Sequence, residues 1–473
     1  MKPLFIGLIL VVLAVIGMAF FYDYCSLWKM LPQGSHLWRQ SDSWAMTLNF
    51  QQFKLHFLQP ATYNLQAENG QVAGEFPLFY FIAAQTKHAG IVLRLMHSFI
   101  FISGIIATYF IAYYFLQRSL LSIWISILFF TSPLLVFYGN NFISDIPALS
   151  MSFLAWAIFL NQQQKNSALL FAFLFFAFAT LLKASQLINY GILFIFLWKT
   201  KQLLFKHIIL FLTLFIPISW YVYAKHYNTL HHDSYYFLSV FPVWKLSWYE
   251  LGLGAWRMLV SWSDNYFWRP TSVVIIISCY FVFLNRNKLN QDLKTIIVSS
   301  LIFEIIYLVF FYQKMIGHEY YYAVFFIFFL FLIIGILKTY NLFHAENIFA
   351  HTALFLLLIP NFIFCVVKTE QKNQDAKYNI ILADALFQQY LEKMGIKKLK
   401  TVVSLPDDSP NKTLSLIKRK GYTEYNNYVK LLKEKKADYL ILSDANWKMH
   451  PELQPYLVDS IGDFHGITIY QLR

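Results

Sequence analysis

Long apolar runs separated by short polar breaks occupy most of the chain up to about residue 367. A bilayer core takes about 20 apolar residues per helix. At that length the runs predict about eleven transmembrane helices, at 3–22, 90–116, 120–138, 143–160, 167–182, 187–198, 207–224, 271–284, 295–312, 320–337 and 347–367. The runs at 167–182 and 187–198 are short and also fit a single re-entrant hairpin. The first run follows a lone Lys2 and ends in Phe21-Tyr22-Asp23-Tyr24 without a small-residue cleavage site. It therefore reads as an uncleaved membrane helix and not as a signal peptide.

The breaks between runs carry the orientation. Lys2, Arg118, Lys165, Lys199, Lys201, Lys206, Arg286, Lys288, Lys294 and Lys338 fall in alternate breaks. Positive charge collects on the cytoplasmic side of short loops, so the expected topology has the N-terminus inside and the C-terminus outside. Segments 23–89 and 225–270, and everything after Val367, then lie outside. The two loops are rich in Trp, Tyr, Gln and His, which fits short amphipathic helices anchored at the membrane interface.

From about Lys368 the pattern becomes that of a soluble domain. A helix is expected at 376–394, strands at 399–405, 437–444 and 466–472, and helices near 411–419 and 425–436. Alternating strands and helices predict a small α/β domain. The expected organisation is a membrane domain over 1–367 and an extracytoplasmic α/β domain over 368–473. Asp407-Asp408 reads as a solvated turn.

Composition agrees with this division. Of 473 residues, 58% are hydrophobic, 20% aromatic and only 13% charged, with a mean hydropathy of +0.49. Soluble domains carry about 25% charged residues. The net charge of +13 sits in clusters beside apolar runs and in the C-terminal region. It forms no basic stripe interleaved with stacking aromatics, which argues against nucleic acid as a partner. Cys25, Cys279 and Cys365 form no CxxC and no disulfide framework.

Several polar residues stand where the pattern places the outer face. His36-Leu37-Trp38-Arg39-Gln40-Ser41-Asp42-Ser43-Trp44 follows the first helix. Asp42 is a candidate general base for a hydroxyl acceptor; a helix cap or an interfacial Arg–Asp pair is the structural reading. Glu75, in Gly74-Glu75-Phe76-Pro77-Leu78, is a solvated acid, a metal ligand or an acceptor-orienting group. Asp145, in Ser144-Asp145-Ile146-Pro147, suits the first turn of a helix and is also a functional candidate as an ionisable group at a membrane helix end. Arg94 and Lys183 break the positive-inside pattern, so they either snorkel to headgroups or bind an anionic lipid phosphate. His318, in Gly317-His318-Glu319-Tyr320-Tyr321-Tyr322, pairs a His with a Glu, but no HxxxH or HExxH spacing supports a metal site. Neither GxxxxGK[ST] nor GxGxxG occurs. A donor carried on a lipid fits this geometry better than a nucleotide sugar, because its tail stays in the bilayer while its phosphate reaches the outer loops.

Taken in order, Trp38-Arg39-Gln40-Ser41-Asp42, Glu75-Phe76-Pro77-Leu78, Asp145-Ile146-Pro147, Leu181-Leu182-Lys183 and His318-Glu319-Tyr320-Tyr321 resemble the motif series of the GT-C membrane glycosyltransferases. The closest resemblance is to bacterial relatives of the protein O-mannosyltransferases (glycosyltransferase family 39) and to the lipid A aminoarabinose transferases. It covers roughly residues 1–340. It implies an α-helical polytopic membrane protein of GT-C type that transfers a sugar, with inversion, from a polyprenyl-phosphate donor to a lipid, polysaccharide or protein acceptor. Asp42 would be the base and Asp145 a second acid at the acceptor. Glu75 would position the acceptor or bind a divalent metal ion. Arg39, Arg94, Lys183 and His318 would act at the donor phosphate. The metal-binding His of some relatives has no counterpart in the aligned motifs, and the C-terminal domain is unexplained by them.

Two other readings compete. An O-antigen polymerase or ligase would place Arg and His, not Asp, in one large outer loop. A transporter or flippase would need acids near mid-membrane and inverted repeats. Glu304 is the clearest such acid, and it equally fits a buried structural contact. A scaffold without catalysis would leave the motif series unexplained.

Overall fold

The computed structural model describes residues 2–162, 165–233, 236, 240–261, 263–339 and 348–472. Parts of the 225–270 loop and the first residue of the 347–367 run lie outside these. The chain forms two compact units. One comprises Met1–Trp28, Arg94–Trp220 and Ser239–Lys372; the other comprises Lys29–Leu93, Tyr221–Leu238 and Asn373–Arg473. The C-terminal region is therefore one unit with most of segment 23–89, whereas the sequence suggested a boundary at 367/368.

The first unit is helical, and each apolar run forms helix. Six helices among the described residues are long and apolar enough to cross a membrane, or seven if one bent pair counts as a span. Asp145–Asn161, Asn166–Leu182 and Arg269–Leu284 are shorter apolar helices. The 120–138 run is not one straight helix: Ser119–Phe129 and Pro133–Gly139 meet at 70°. Pro133 has no N–H to continue the first helix and disfavours helical geometry at Ser132. Ser132 instead turns its hydroxyl to the N–H of Leu135 and caps the second piece.

Helices approach closely where side chains are small, as expected in lipid. A Cβ on Gly104 would lie 2.4 Å from Ser150 Cβ, so Ala89–Leu116 and Asp145–Asn161 touch at their backbones there. Trp156 donates to Asn189 Oδ1 at 2.9 Å, and Asn189 in turn donates to Ser152 Oγ at 3.1 Å. Glu304 accepts the N–H of Phe328 at 3.1 Å, one of the orphan donors at the start of Phe326–Thr339. The mid-span acid thus has a structural contact.

The second unit carries a five-stranded sheet. Its strands are β1 (Val402–Leu405), β2 (Gly421–Tyr422), β3 (Tyr439–Leu442), β4 (Ser460–Phe464) and β5 (Ile467–Gln471), in the order β2-β1-β3-β5-β4. The first three run parallel and β5 and β4 are antiparallel. The buried apolar strands β1 and β3 were expected; β2, of two residues, and β4, which opens at Ser460 and is partly exposed, lack the apolar pattern. Asp407 is not solvated. It is 1% exposed and accepts hydrogen bonds from the N–H and hydroxyl groups of Ser409 and Thr413. Burial raises its pKa, opposed by Lys412.

Residues 63–65 dock on the sheet edge. Gly421 N–H donates to Tyr63 O and Leu65 N–H donates to Gly421 O, both at 2.9 Å. A Cβ on Gly421 would lie 1.9 Å from Val402 O, so only glycine admits the close approach of β2 to β1 here. Helix Leu37–Phe53 is not a surface amphipathic helix: 12 of its 17 residues are buried, Asp42 among them.

Candidate active site

In the second unit, helix Leu37–Phe53 places Arg39, Asp42 and Ser43 within about one turn of one another. Arg39 forms an ion pair with Glu75, and its Nη1 reaches Ser43 Oγ at 3.4 Å. Tyr80 OH donates to the same Glu75 oxygen at 2.7 Å and lies 3.1 Å from Ser43 Oγ. The motifs around Arg39 and Glu75 are therefore one cluster. The Arg39 guanidinium assigned to a donor phosphate is engaged by Glu75 here.

Asp42 is 1% exposed. Its Oδ1 accepts from the side-chain amide of Asn411 at 2.9 Å. Its Oδ2 is buried and has no hydrogen-bond partner among the described residues. Burial pushes its pKa from the usual 3.8 up to about 6, opposed first by the Arg39 charge and then by hydrogen bonds from Asn411 and Tyr236. A carboxylate with one oxygen held, one oxygen open and a pKa near neutrality has the properties of a general base. Nothing around Asn411 in sequence signals this role. It precedes an ordinary short helix, Lys412–Ile417, and only the fold brings it to Asp42.

In the first unit, Asp145 opens helix Asp145–Asn161, as expected, and Lys183 closes Asn166–Leu182. Lys183 Nζ donates to Asp145 Oδ2 at 3.0 Å, with the side chains 12% and 3% exposed. The ammonium also lies 4.8 Å from the Tyr321 ring and 5.5 Å from the Tyr320 ring. His318 stacks on Tyr320 at 5.6 Å. Asp145, Lys183 and His318 thus form one cluster with two tyrosines.

This cluster continues into a network that sequence reasoning missed. Tyr138 packs on Tyr320 at 5.7 Å and donates to Glu319 at 2.8 Å. Glu319 also accepts from Asn265 at 2.5 Å and forms an ion pair with Lys372. The Glu beside His318 is thereby occupied. Among the described residues, no group of three or more His, Cys, Asp or Glu side chains is arranged to hold a metal ion.

Arg94 has its own set of contacts. It is 2% exposed, donates to Asn140 O at 3.0 Å and lies over the Phe142 ring at 4.6 Å. One turn on, His97 contacts Asn141 O at 2.8 Å and Ser98 donates to Asn140 Oδ1 at 2.8 Å. This helix face holds the segment that leads into Asp145.

An apolar cavity of about 580 Å3 is lined by Ala184 and Ser185, the two residues after Lys183 in sequence, and by Leu187, Gly191, Phe303 and Ile306 among others.

No family model matches the sequence, and no curated protein matches it. Solved structures do match the fold. ArnT from Cupriavidus metallidurans bound to undecaprenyl phosphate aligns with a TM-score of 0.62 at 11% identity, covering 98% of both chains. Its apo state aligns at 0.60 and 10% identity, with the same coverage. The arabinofuranosyltransferase AftD from Mycobacteria aligns at 0.56 and 10% identity, over 98% of this chain and 40% of AftD. The Archaeoglobus fulgidus oligosaccharyltransferase aligns at 0.52 and 10% identity, over 91% of this chain and 69% of that one. The expected GT-C membrane fold is borne out.

Proposed function

We propose that the chain transfers a sugar from a polyprenyl-phosphate donor to an acceptor hydroxyl or phosphate at the extracytoplasmic membrane face. The carrying observation is Asp42: a buried carboxylate with Oδ1 held by Asn411 and Oδ2 open. In this reading Oδ2 takes the acceptor proton as the acceptor oxygen bonds to the anomeric carbon. The bond from that carbon to the phosphate oxygen breaks, and polyprenyl phosphate leaves with the electron pair. Attack opposite the leaving group inverts the anomeric centre.

The other candidates take parts that follow from their contacts. Lys183 and His318 act at the donor phosphate, and stabilising the departing anion lowers the barrier. The apolar cavity lined by Ala184 and Ser185 suits a polyprenyl tail. ArnT, whose fold this chain shares, has been solved with undecaprenyl phosphate. Asp145 holds Lys183 in place, Arg94 holds the segment before Asp145, and Arg39 with Glu75 frames the acceptor side of Asp42.

The pH dependence of transfer tests this assignment. A base must be ionised, so kcat/KM falls as pH drops through the Asp42 pKa of about 6. An acid limb well below that, near the ordinary 3.8 of an exposed Asp, removes Asp42 as the base.

A further inference from the structure

Asn411 is fully buried and lies 369 residues from Asp42 in sequence. Its side-chain oxygen accepts the backbone N–H groups of Tyr63 at 3.2 Å and Asn64 at 3.1 Å. Backbone N–H groups only donate, so the oxygen must face them. The amide nitrogen is thereby turned to Asp42 Oδ1, and it also donates to Tyr236 OH at 3.1 Å. The backbone that fixes this orientation is itself fixed. Tyr63 and Leu65 bond to Gly421 on the sheet edge, and the Asn64 amide donates to Pro410 O and Asn426 Oδ1, both at 2.9 Å.

We propose that Asn411 is a positioning residue for the base, and that the C-terminal region is thereby part of the catalytic apparatus. This rests on the assignment of Asp42 as that base. The geometry gives the reason. One carboxylate oxygen is pinned by a donor whose direction is dictated by backbone, so the carboxyl plane is fixed and Oδ2 alone is left for the acceptor proton. The donated hydrogen bond also favours the ionised form. Arg39 on the same helix pulls in the same direction, Glu75 pulls against it, and Tyr236 and Tyr425 are the phenols facing the carboxylate.

The test uses the full chain in lipid nanodiscs, with 13C-labelled aspartate followed by infrared titration. Spectra of Asp42→Asn are subtracted to isolate Asp42. In Asn411→Ser the amide donor is lost, and the Asp42 midpoint is expected to rise by about one pH unit. Turnover on a synthetic undecaprenyl-phosphate hexose should keep a similar KM while its acid limb moves up with the midpoint. If the Ser variant does not fold, Asn411→Asp serves. It keeps an oxygen for the Tyr63 and Asn64 N–H groups and replaces only the donor, and at least one midpoint of the resulting carboxyl pair should exceed the wild-type value. An unmoved midpoint in a folded variant overturns the positioning role. A moved midpoint with an unmoved acid limb leaves the Asn411 contact standing but overturns Asp42 as the base, and the proposal with it.

Discussion

The Asp145–Lys183 pair separates a structural from a phosphate-binding role for Lys183. Lys183→Met keeps the aliphatic stem and removes the ammonium. Asp145, whose side chain is 3% exposed, then stays buried without that cation. A hydrogen bond to a charged group contributes about 1.5–3 kcal/mol. Ring contacts at 4.8 and 5.5 Å add roughly 1 kcal/mol. Breaking a buried pair from one side costs about 3–5 kcal/mol. Because the lysine side chain is 12% exposed, the lower end applies, and a loss of about 3 kcal/mol is expected. Asp145→Asn should lose a similar amount. The double variant has no orphaned charge, so its loss should fall short of the sum by about 2 kcal/mol. Reversible unfolding in mixed micelles measures all four proteins. A coupling under about 0.5 kcal/mol would refute the pair as a structural unit. Binding of undecaprenyl phosphate then reads the second role: the double variant should recover stability but not affinity. Recovery of both would leave Lys183 with no part at the phosphate.

Two further outcomes follow. The raised Asp42 pKa carries a stability signature. A carboxyl that holds its proton more tightly when folded adds stability at low pH, and that stability is lost as pH rises between 3.8 and about 6. Asp42→Asn should therefore be more stable than wild type at neutral pH, by up to roughly 3 kcal/mol, with the gain vanishing below the ordinary carboxyl pKa. Chemical denaturation at several pH values checks this, and a less stable variant at neutral pH contradicts it. Gly421→Ala should cost about 2–4 kcal/mol, since its Cβ would lie 1.9 Å from Val402 O of β1, and moving β2 away disturbs the Gly421 bonds to Tyr63 and Leu65. It should raise the Asp42 midpoint as Asn411→Ser does, because Tyr63 and Asn64 orient Asn411; an unchanged midpoint in folded protein would break that link.

The sequence made some of this legible for physical reasons. Apolar runs register as helices because lipid requires them, and a charged residue beside such a run, as at Asp145 and Lys183, stands out against it. The break at Ser132 was visible as a proline, Pro133, yet a continuous apolar pattern hides a bend. Helix Leu37–Phe53 looked interfacial because its polar residues gave no sign of burial. Gln40 is met by Gln33 O and Ser35 O, Asp42 by Asn411 and Ser43 by Tyr80, partners that the helix pattern does not encode. Asn411 and Lys372 were invisible for a related reason. Each is a common residue type in polar surroundings, and its contact comes from a segment tens to hundreds of residues away.

The role of Asp42 as base is tested most directly in the source organism. A strain whose only copy of the chain bears Asp42→Asn, at wild-type abundance in the membrane, is compared with a deletion strain by mass analysis of envelope lipids and glycans. The two strains are expected to lack the same sugar modification. Wild-type levels of that modification in the Asp42→Asn strain would contradict that role.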